Sequence, residues 1–385
     1  MIKRELYSEL LDAANNYPVV TIIGPRQAGK TTLAKSAFPK YTYCNLEHPE
    51  LRKLAIDDPG AFFARFSGQL IIDEIQRAPN LLSYIQVMVD EKEEKGQFIL
   101  TGSHQLALHQ SISQSLAGRT AILKLLPLSL RELSKHSIHL DRNEVIYNGF
   151  FPRVYKDQLN PTKAYRNYFE TYVERDVRQL VNIKELANFE KFLKLIAGRV
   201  GQVINYSSLT NDIGVSNNTL KNWLSVLEAS FIILKLEPYF ENFGKRVIKS
   251  PKIYFTDTGL LCYLLGIEKP EQLERDPLIG QIFENLVVIE CLKSRYNQGL
   301  NHNLFFYRSD KGQEVDLIYK KGRQLIPIEI KSAMTFSSEF LKGINYFYKI
   351  SNSDNRGYVV YSGKLVYESE KYSLMNFWDV NEIFK

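Results

Sequence analysis

Gly24-Pro25-Arg26-Gln27-Ala28-Gly29-Lys30-Thr31 fits the pattern GxxxxGK[ST] at every fixed position. An apolar run, Val19–Ile23, precedes it, and a helix-like stretch, Thr32–Ala37, follows. A strand, a glycine loop and a helix are the setting in which backbone N–H groups close around a phosphate. The start of the helix then faces the anion. Gly24, Pro25, Arg26, Gln27, Ala28, Gly29, Lys30, Thr31 and Thr32 are therefore expected to cradle a nucleotide. Lys30 is expected at the β- and γ-phosphates, and the Thr31 hydroxyl on Mg²⁺. A chance glycine turn is the competing reading, and the flanking strand and helix speak against it.

Moving outward, Gln69-Leu70-Ile71-Ile72-Asp73-Glu74 is an apolar strand that ends in two acids. Buried strands seldom end so unless a cation sits there. Asp73 is expected as the outer-sphere Mg²⁺ partner and Glu74 as the group that polarises the attacking water. A third run, Phe98–Thr101, leads into Gly102-Ser103-His104. Ser103 is expected to sense the γ-phosphate, with Thr101 as the alternate. Arg119, after Leu116-Ala117-Gly118, fits an arginine finger acting on the nucleotide of a neighbouring subunit, which would make the protein a homo-oligomer. A surface arginine beside a turn is the alternative. Short apolar runs with amphipathic stretches between them imply a parallel sheet covered on both faces.

The 385 residues suggest two to four domains. Apolar residues make up 44% and charged residues 24%, which argues against wholesale disorder. Lys and Arg number 49 against 43 Asp and Glu, a balance of +6 that is compatible with a nucleic-acid partner without requiring one. Cys44, Cys262 and Cys291 are far apart and include no CxxC, so neither a disulfide framework nor a zinc knuckle is expected. A cytoplasmic setting is the expectation. The N-terminal stretch reads as an amphipathic helix, and runs such as Val19–Ile23 and Phe231–Leu234 are far too short for a bilayer, so no membrane role is expected.

From about Tyr147 to Arg199 the apolar residues recur at helical spacing, as in Tyr165, Tyr168, Phe169 and Tyr172. Val203–Leu209, the turn Ile213-Gly214-Val215-Ser216 and Asn217–Glu228 then read as a helix-turn-helix. Asn217, Asn218, Thr219, Lys221 and Asn222 stand near the start of the second helix as donors for DNA phosphates or base edges. Lys245, Arg246, Lys249 and Lys252 follow on a segment that reads as a wing. The alternative is a purely structural packing unit.

In the last hundred residues, Glu284 lies on a helix, Asp316 on a strand, and Glu329 and Lys331 on the next strand. The two-residue period puts Glu329 and Lys331 on one face. This D…ExK order resembles the PD-(D/E)xK nuclease superfamily, with Val315 where a proline usually precedes the first acid. The resemblance implies that Glu284, Asp316 and Glu329 hold Mg²⁺ and that Lys331 orients a water. The alternative is an amphipathic hairpin with solvated charges.

The stretches GPRQAGKTTLA, LIIDEIQ, ILTGS, SLAGR, LLPLSLREL, YVERDVRQL, KSPKIYFTDTGLL, GQIFENLV, GQEVDL and IEIKS resemble, over nearly the whole chain, prokaryotic AAA-type ATPases with a C-terminal nuclease-like domain of unknown function. The implied fold is α/β. A P-loop NTPase parallel sheet comes first, followed by a helical and winged-helix region and a small α/β restriction-endonuclease-like domain. The expected borders are 1–140 for the AAA-type domain, 141–200 for a helical lid or linker, 201–270 for the winged-helix-like domain and 271–385 for the nuclease-like domain. Arg175 and Arg178 are extra nucleotide-sensing candidates, set against a salt-bridged helix face with Glu174. The expected activity is Mg²⁺-dependent hydrolysis of ATP coupled to a DNA-associated nuclease-like domain. Its rivals are a nucleotide-switched binding protein that does not cleave, and an ATP-gated DNA nuclease.

Overall fold

In a computed structural model of the chain, residues 2–66, 68–103, 115–177, 186–240, 248–351 and 355–385 are described. Arg178, Lys245 and Arg246 lie outside the described residues, as do the side chains of Glu174 and Arg175. The chain forms two compact units. One comprises Met1–Leu128 with Ala229–Phe231 and Tyr296–Leu300. The other comprises Ser129–Glu228, Ile232–Arg295 and Asn301–Lys385.

The first unit is built on five parallel strands: β1 (Val19–Ile23), β2 (Thr42–Asn45), β3 (Leu70–Asp73), β4 (Phe98–Gly102) and β5 (Thr120–Lys124). Their order is β2-β3-β4-β1-β5. The inner strands β1, β3 and β4 are buried along their whole length, which is why each reads as an unbroken apolar run. Helix α1 (Tyr7–Asn16) lays Leu10, Ala13 and Ala14 against a core that includes Val20, Ile22, Ile99 and Leu123. Helix α2 (Lys30–Ala37) starts directly after the glycine loop.

The second unit begins with helices, among them Pro161–Tyr168 and Leu186–Ala197. Helix α3 (Tyr206–Ile213) ends on Gly214, whose φ of 83° allows the turn into α4 (Asn217–Ala229). Asn217, Asn218, Lys221 and Asn222 are exposed at the start of α4, while Leu220, Trp223, Leu224 and Leu227 are buried. A two-stranded antiparallel ribbon follows, β6 (Ile233–Leu236) with β7 (Lys252–Phe255).

Helix α5 (Ile279–Tyr296) precedes a six-stranded sheet of order β12-β13-β11-β10-β9-β8. Its strands are β8 (Leu304–Arg308), β9 (Glu314–Lys321), β10 (Gln324–Lys331), β11 (Gly357–Tyr361), β12 (Tyr367–Glu368) and β13 (Tyr372–Asn376). Strands β8, β9 and β10 are antiparallel neighbours, whereas β10, β11 and β13 run parallel. Helix α6 (Lys342–Ser351) supplies the crossover between β10 and β11. Among the described residues no helix is long and apolar enough to cross a membrane.

Candidate functional site

The glycine loop follows the carboxyl end of β1. A Cβ at Gly24 would strike the carbonyl oxygen of Leu125, so only glycine lets the two backbones approach this closely. Gly29 turns the chain into α2 with a φ of 93°, which a side chain would disfavour. Arg4, buried beneath α1, donates from Nη1 to the Ala28 carbonyl (2.6 Å) and from Nη2 to the Leu126 carbonyl (2.6 Å), fastening the loop from behind. Within the loop Pro25, Ala28 and Lys30 are buried, while Gln27 and Thr32 are exposed.

Lys30 Nζ donates to two carbonyls of its own loop, Gly24 (2.9 Å) and Pro25 (2.8 Å). Burial pushes its ammonium down to about 8, against the opposite pull of Glu74 and Asp73. Phosphates at this loop would stabilise the charged form and raise that pKa. Nucleotide binding should therefore take up a proton above pH 8. Affinity is expected to be full below pH 8 and to weaken as pH rises, approaching about tenfold per unit. Calorimetric titrations from pH 7 to 9.5, in buffers of different ionisation enthalpy, would read both the affinity and the proton.

The acids at the end of β3 are held by two separate sets of donors. Asp73, which is buried, accepts from Thr31 Oγ1 (2.9 Å), from Tyr43 on β2 (2.8 Å) and from Thr101 on β4. The Tyr43 ring also lies under Lys35 Nζ, 3.3 Å from its centroid. Burial first, and then the bond to Asp73, raise the Tyr43 phenol well above its ordinary value, so it stays a donor. Glu74 sits in the left-handed region at φ 60° and ψ 45°, a conformation that costs roughly 1–3 kcal/mol in a residue with a side chain. That turn brings its carboxylate to Gln76 Nε2 and to Ser103 Oγ (3.3 Å). The structure thus gathers Lys30, Thr31, Asp73, Glu74 and Ser103 at the carboxyl ends of neighbouring strands. Thr101, the alternate to Ser103, contacts Asp73 instead.

Thr31 and Asp73 offer a hydroxyl and a carboxylate, hard oxygen donors that suit Mg²⁺. Arg119 lies elsewhere. It immediately precedes β5, and its carbonyl accepts from Val19 N–H (3.2 Å) at the amino end of β1. Five residues of strand, roughly 16 Å, separate it from the glycine loop of its own chain. It forms a two-point ion pair with Asp90 (2.6 and 2.8 Å).

A second constellation belongs to the other unit. Lys331 Nζ bridges Asp316 Oδ2 (2.8 Å) and Glu329 Oε2 (2.7 Å), and Asp316 also accepts from Ile330 N–H (2.8 Å). Glu284 Oε1 accepts from Tyr254 (2.5 Å) and from Lys252 Nζ (2.9 Å). Lys252 Nζ also lies 2.5 Å from Glu314 Oε1. Burial alone would lower the Lys252 ammonium, but Glu284, Tyr254, Glu314 and Asp316 together hold it well above the ordinary lysine value. Burial and the Asp316 charge push Glu329 up to about 8. Burial opposes the Asp316 charge too, but Lys331 and Lys252 hold that carboxyl below the ordinary range. Glu329 Oε1 is buried and, among the described residues, has no hydrogen-bond partner.

Lys252 corrects the wing expectation. It is 1% exposed, it starts β7, and it points into the carboxylates rather than toward a polyanion. Its signal in the sequence is faint. In Lys252-Ile253-Tyr254-Phe255 the two polar residues alternate onto one side of the strand, the side that meets Glu284. The neighbouring Asn285 completes the contact, accepting from Phe255 N–H (2.7 Å) and donating to the Phe255 carbonyl (2.9 Å). Glu284-Asn285 is thus the seam between α5 and β7. Each lysine ammonium stands between two carboxylates. Among the described residues, no group of three His, Cys, Asp or Glu is arranged to hold a metal ion. The C-terminal constellation, as folded here, does not fit a divalent-metal centre.

Comparison with known proteins adds three family matches: an AAA domain over residues 16–134, a domain of unknown function (DUF8612) over 140–271 and another (DUF4143) over 279–380. The chain is 32% identical over 339 residues to the uncharacterized protein Rv2008c of Mycobacterium tuberculosis, covering 86% of this chain and 74% of that one. It is 24% identical over 364 residues to an uncharacterized protein of Haemophilus influenzae, covering 86% of each. Among solved structures, the Walker-type ATPase PABY2304 of Pyrococcus abyssi matches with a TM-score of 0.44 and 15% identity, over 69% of this chain and 96% of that one.

Proposed function

Because the chain belongs to the same family as Rv2008c and carries an AAA domain on a parallel five-stranded sheet, we propose that it is a Mg²⁺-dependent ATPase whose nucleotide state switches the grip of its C-terminal half on DNA. The observation that carries the ATPase half is the contact of Thr31 with Asp73 beside the Lys30 ammonium. Lys30 meets the β- and γ-phosphates, and the backbone N–H groups of the loop beyond Pro25, from Arg26 to Thr32, surround them. When bound, Mg²⁺ neutralises charge on the phosphate oxygens, and Thr31 and Asp73 are the residues that hold it. Glu74 takes a proton from the attacking water, and Ser103, whose one O–H is on Glu74 in the free protein, turns it to the γ-phosphate from the end of β4. Arg119 is too far from its own glycine loop to serve there, so it acts on a neighbouring subunit's nucleotide after leaving Asp90.

For the C-terminal half, the lysine-bridged carboxylates favour gripping over cutting. The exposed Asn217, Asn218, Lys221 and Asn222 of α4 support a nucleic-acid partner met through its phosphates. The order of Asp316, Glu329 and Lys331 on neighbouring strands, with Glu329 Oε1 left over, favours a second reading, a nuclease-like domain that cleaves.

One set of assays on the purified chain separates the readings. ATP turnover dependent on Mg²⁺ is expected. So is DNA binding that weakens linearly in log–log salt plots, and supercoiled plasmid should stay intact with Mg²⁺ or Mn²⁺. Plasmid cutting that disappears in Asp316→Ala would install the nuclease reading. Salt-independent retention, or no DNA binding at all, would remove DNA.

A further inference from the structure

We infer that Gln76 is a positioning residue for ATP hydrolysis, acting through Glu74; this rests on Glu74 being the group that takes the water's proton. Gln76 lies in the single 3-10 turn Ile75–Arg77 that follows Glu74. Arg77 N–H donates to the Glu74 carbonyl (3.0 Å), and Ile75 is fully buried, so the turn is pinned at both ends. With Glu74 in the left-handed region, the chain doubles back and the side chains of Glu74 and Gln76 meet.

The contacts form a small ring. Gln76 Nε2 donates to Glu74 Oε2 and to Ser103 Oγ (3.1 Å), and Ser103 Oγ donates to the same Glu74 Oε2 (3.3 Å). A carboxylate only accepts, so the amide must face it with nitrogen, and the orientation of Gln76 follows from chemistry. Both donors fall on Oε2. Oε1 of Glu74 therefore keeps its lone pairs for a water.

The other end of the amide argues that the contact is more than packing. Gln76 Oε1 is buried and, among the described residues, accepts no hydrogen bond. Leucine or methionine would fill a similar volume without stranding a carbonyl. The amide is worth its stranded oxygen through what Nε2 does: it holds the carboxylate in one orientation and ties it to the end of β4. Because Ser103 is the γ-phosphate reader in the proposed function, Gln76 joins the group that detects the phosphate to the group that activates the water.

The test is a cycle on the full chain, with kcat and KM for ATP measured for Gln76→Leu, Gln76→Met, Glu74→Gln and the pairs. Either Gln76 change is expected to lower kcat at least about tenfold, a part of the roughly 10²–10⁴ that a positioned base supplies. KM should stay within about twofold, because no phosphate contact is lost. In the Glu74→Gln background the same changes should move the residual single-turnover rate by less than about twofold, since Gln76 has nothing left to act through. Two apolar replacements are used so that a folding defect in one, seen as a lowered melting temperature, leaves the other to decide. Wild-type turnover in a folded Gln76 variant overturns the inference while the ATPase reading stands. An equal loss in the Glu74→Gln background also overturns it, because Gln76 would then act independently. Full turnover in Glu74→Gln alone would remove the Glu74 assignment itself and Gln76 with it.

Discussion

Lys30→Ala loses ATP binding by roughly 30- to 1000-fold, while Glu74→Gln binds ATP normally and fails to turn it over. Those are the expected results. The first magnitude follows from the contacts that disappear. A hydrogen bond to a charged group contributes about 1.5–3 kcal/mol, and Lys30 is placed to make more than one to the phosphates. The substitution also strands the Gly24 and Pro25 carbonyls that Lys30 Nζ satisfies in the free protein. Glu74 makes no such contribution to binding. Its carboxylate is held by Gln76 and Ser103, to one side of the loop, and it is needed only when the water attacks. Equilibrium binding of a fluorescent nucleotide, alongside steady-state phosphate release, checks both. Unchanged hydrolysis in the two variants would dissolve the phosphate-loop assignment.

Lys252→Met is expected to be the most destabilising single change in the C-terminal half. It leaves Glu284 and Glu314 without the ammonium that sits between them, and breaking one side of a buried pair costs roughly 3–5 kcal/mol. For a unit of this size that means a fall in melting temperature on the order of 10 °C. Two companion measurements give the cause. Lys252→Met with Glu284→Gln should recover part of the loss, because fewer buried charges are left unpaired. Mg²⁺ or Mn²⁺ should raise the melting temperature of Lys252→Met by mass action and leave the unaltered chain unmoved. A metal response already present in the unaltered chain would mean that the lysines yield to a divalent ion. That would favour the cleaving reading.

The sequence carried the glycine loop, the strand before it and the acids of β3 because each was written in a continuous local pattern. β1 occupies the apolar run read at 19–23, β3 lies within the one read at 69–74, and β4 begins at Phe98 as the third run does. The edge strands β2 and β5 went unread. They are partly exposed along their length, so polar residues stand at both ends of each strand. Tyr43 went unread with β2, although its hydroxyl helps to hold Asp73. The convergence of Asp316, Glu329 and Lys331 was legible because strand alternation fixes facing. The role of Lys252 was not, because a lysine that seals a buried site and one that greets a phosphate look alike in a string of letters. What distinguishes them is Glu284, 32 residues away and on another element.

The position of Lys252 also bears on how such chains can be cut and recombined. The matched domains end at 271 and begin again at 279, a natural place to divide a gene. Cut there, β7 stays with the first piece while Glu284, Asn285 and Glu314 leave with the second. The C-terminal piece would then carry acids with no ammonium from β7 and an asparagine with no strand edge to pair. Both matched domains lie almost wholly within one compact unit of the chain. A chimaera that exchanges the last hundred residues between relatives should fold only if the incoming helix finds a lysine at the start of the resident strand.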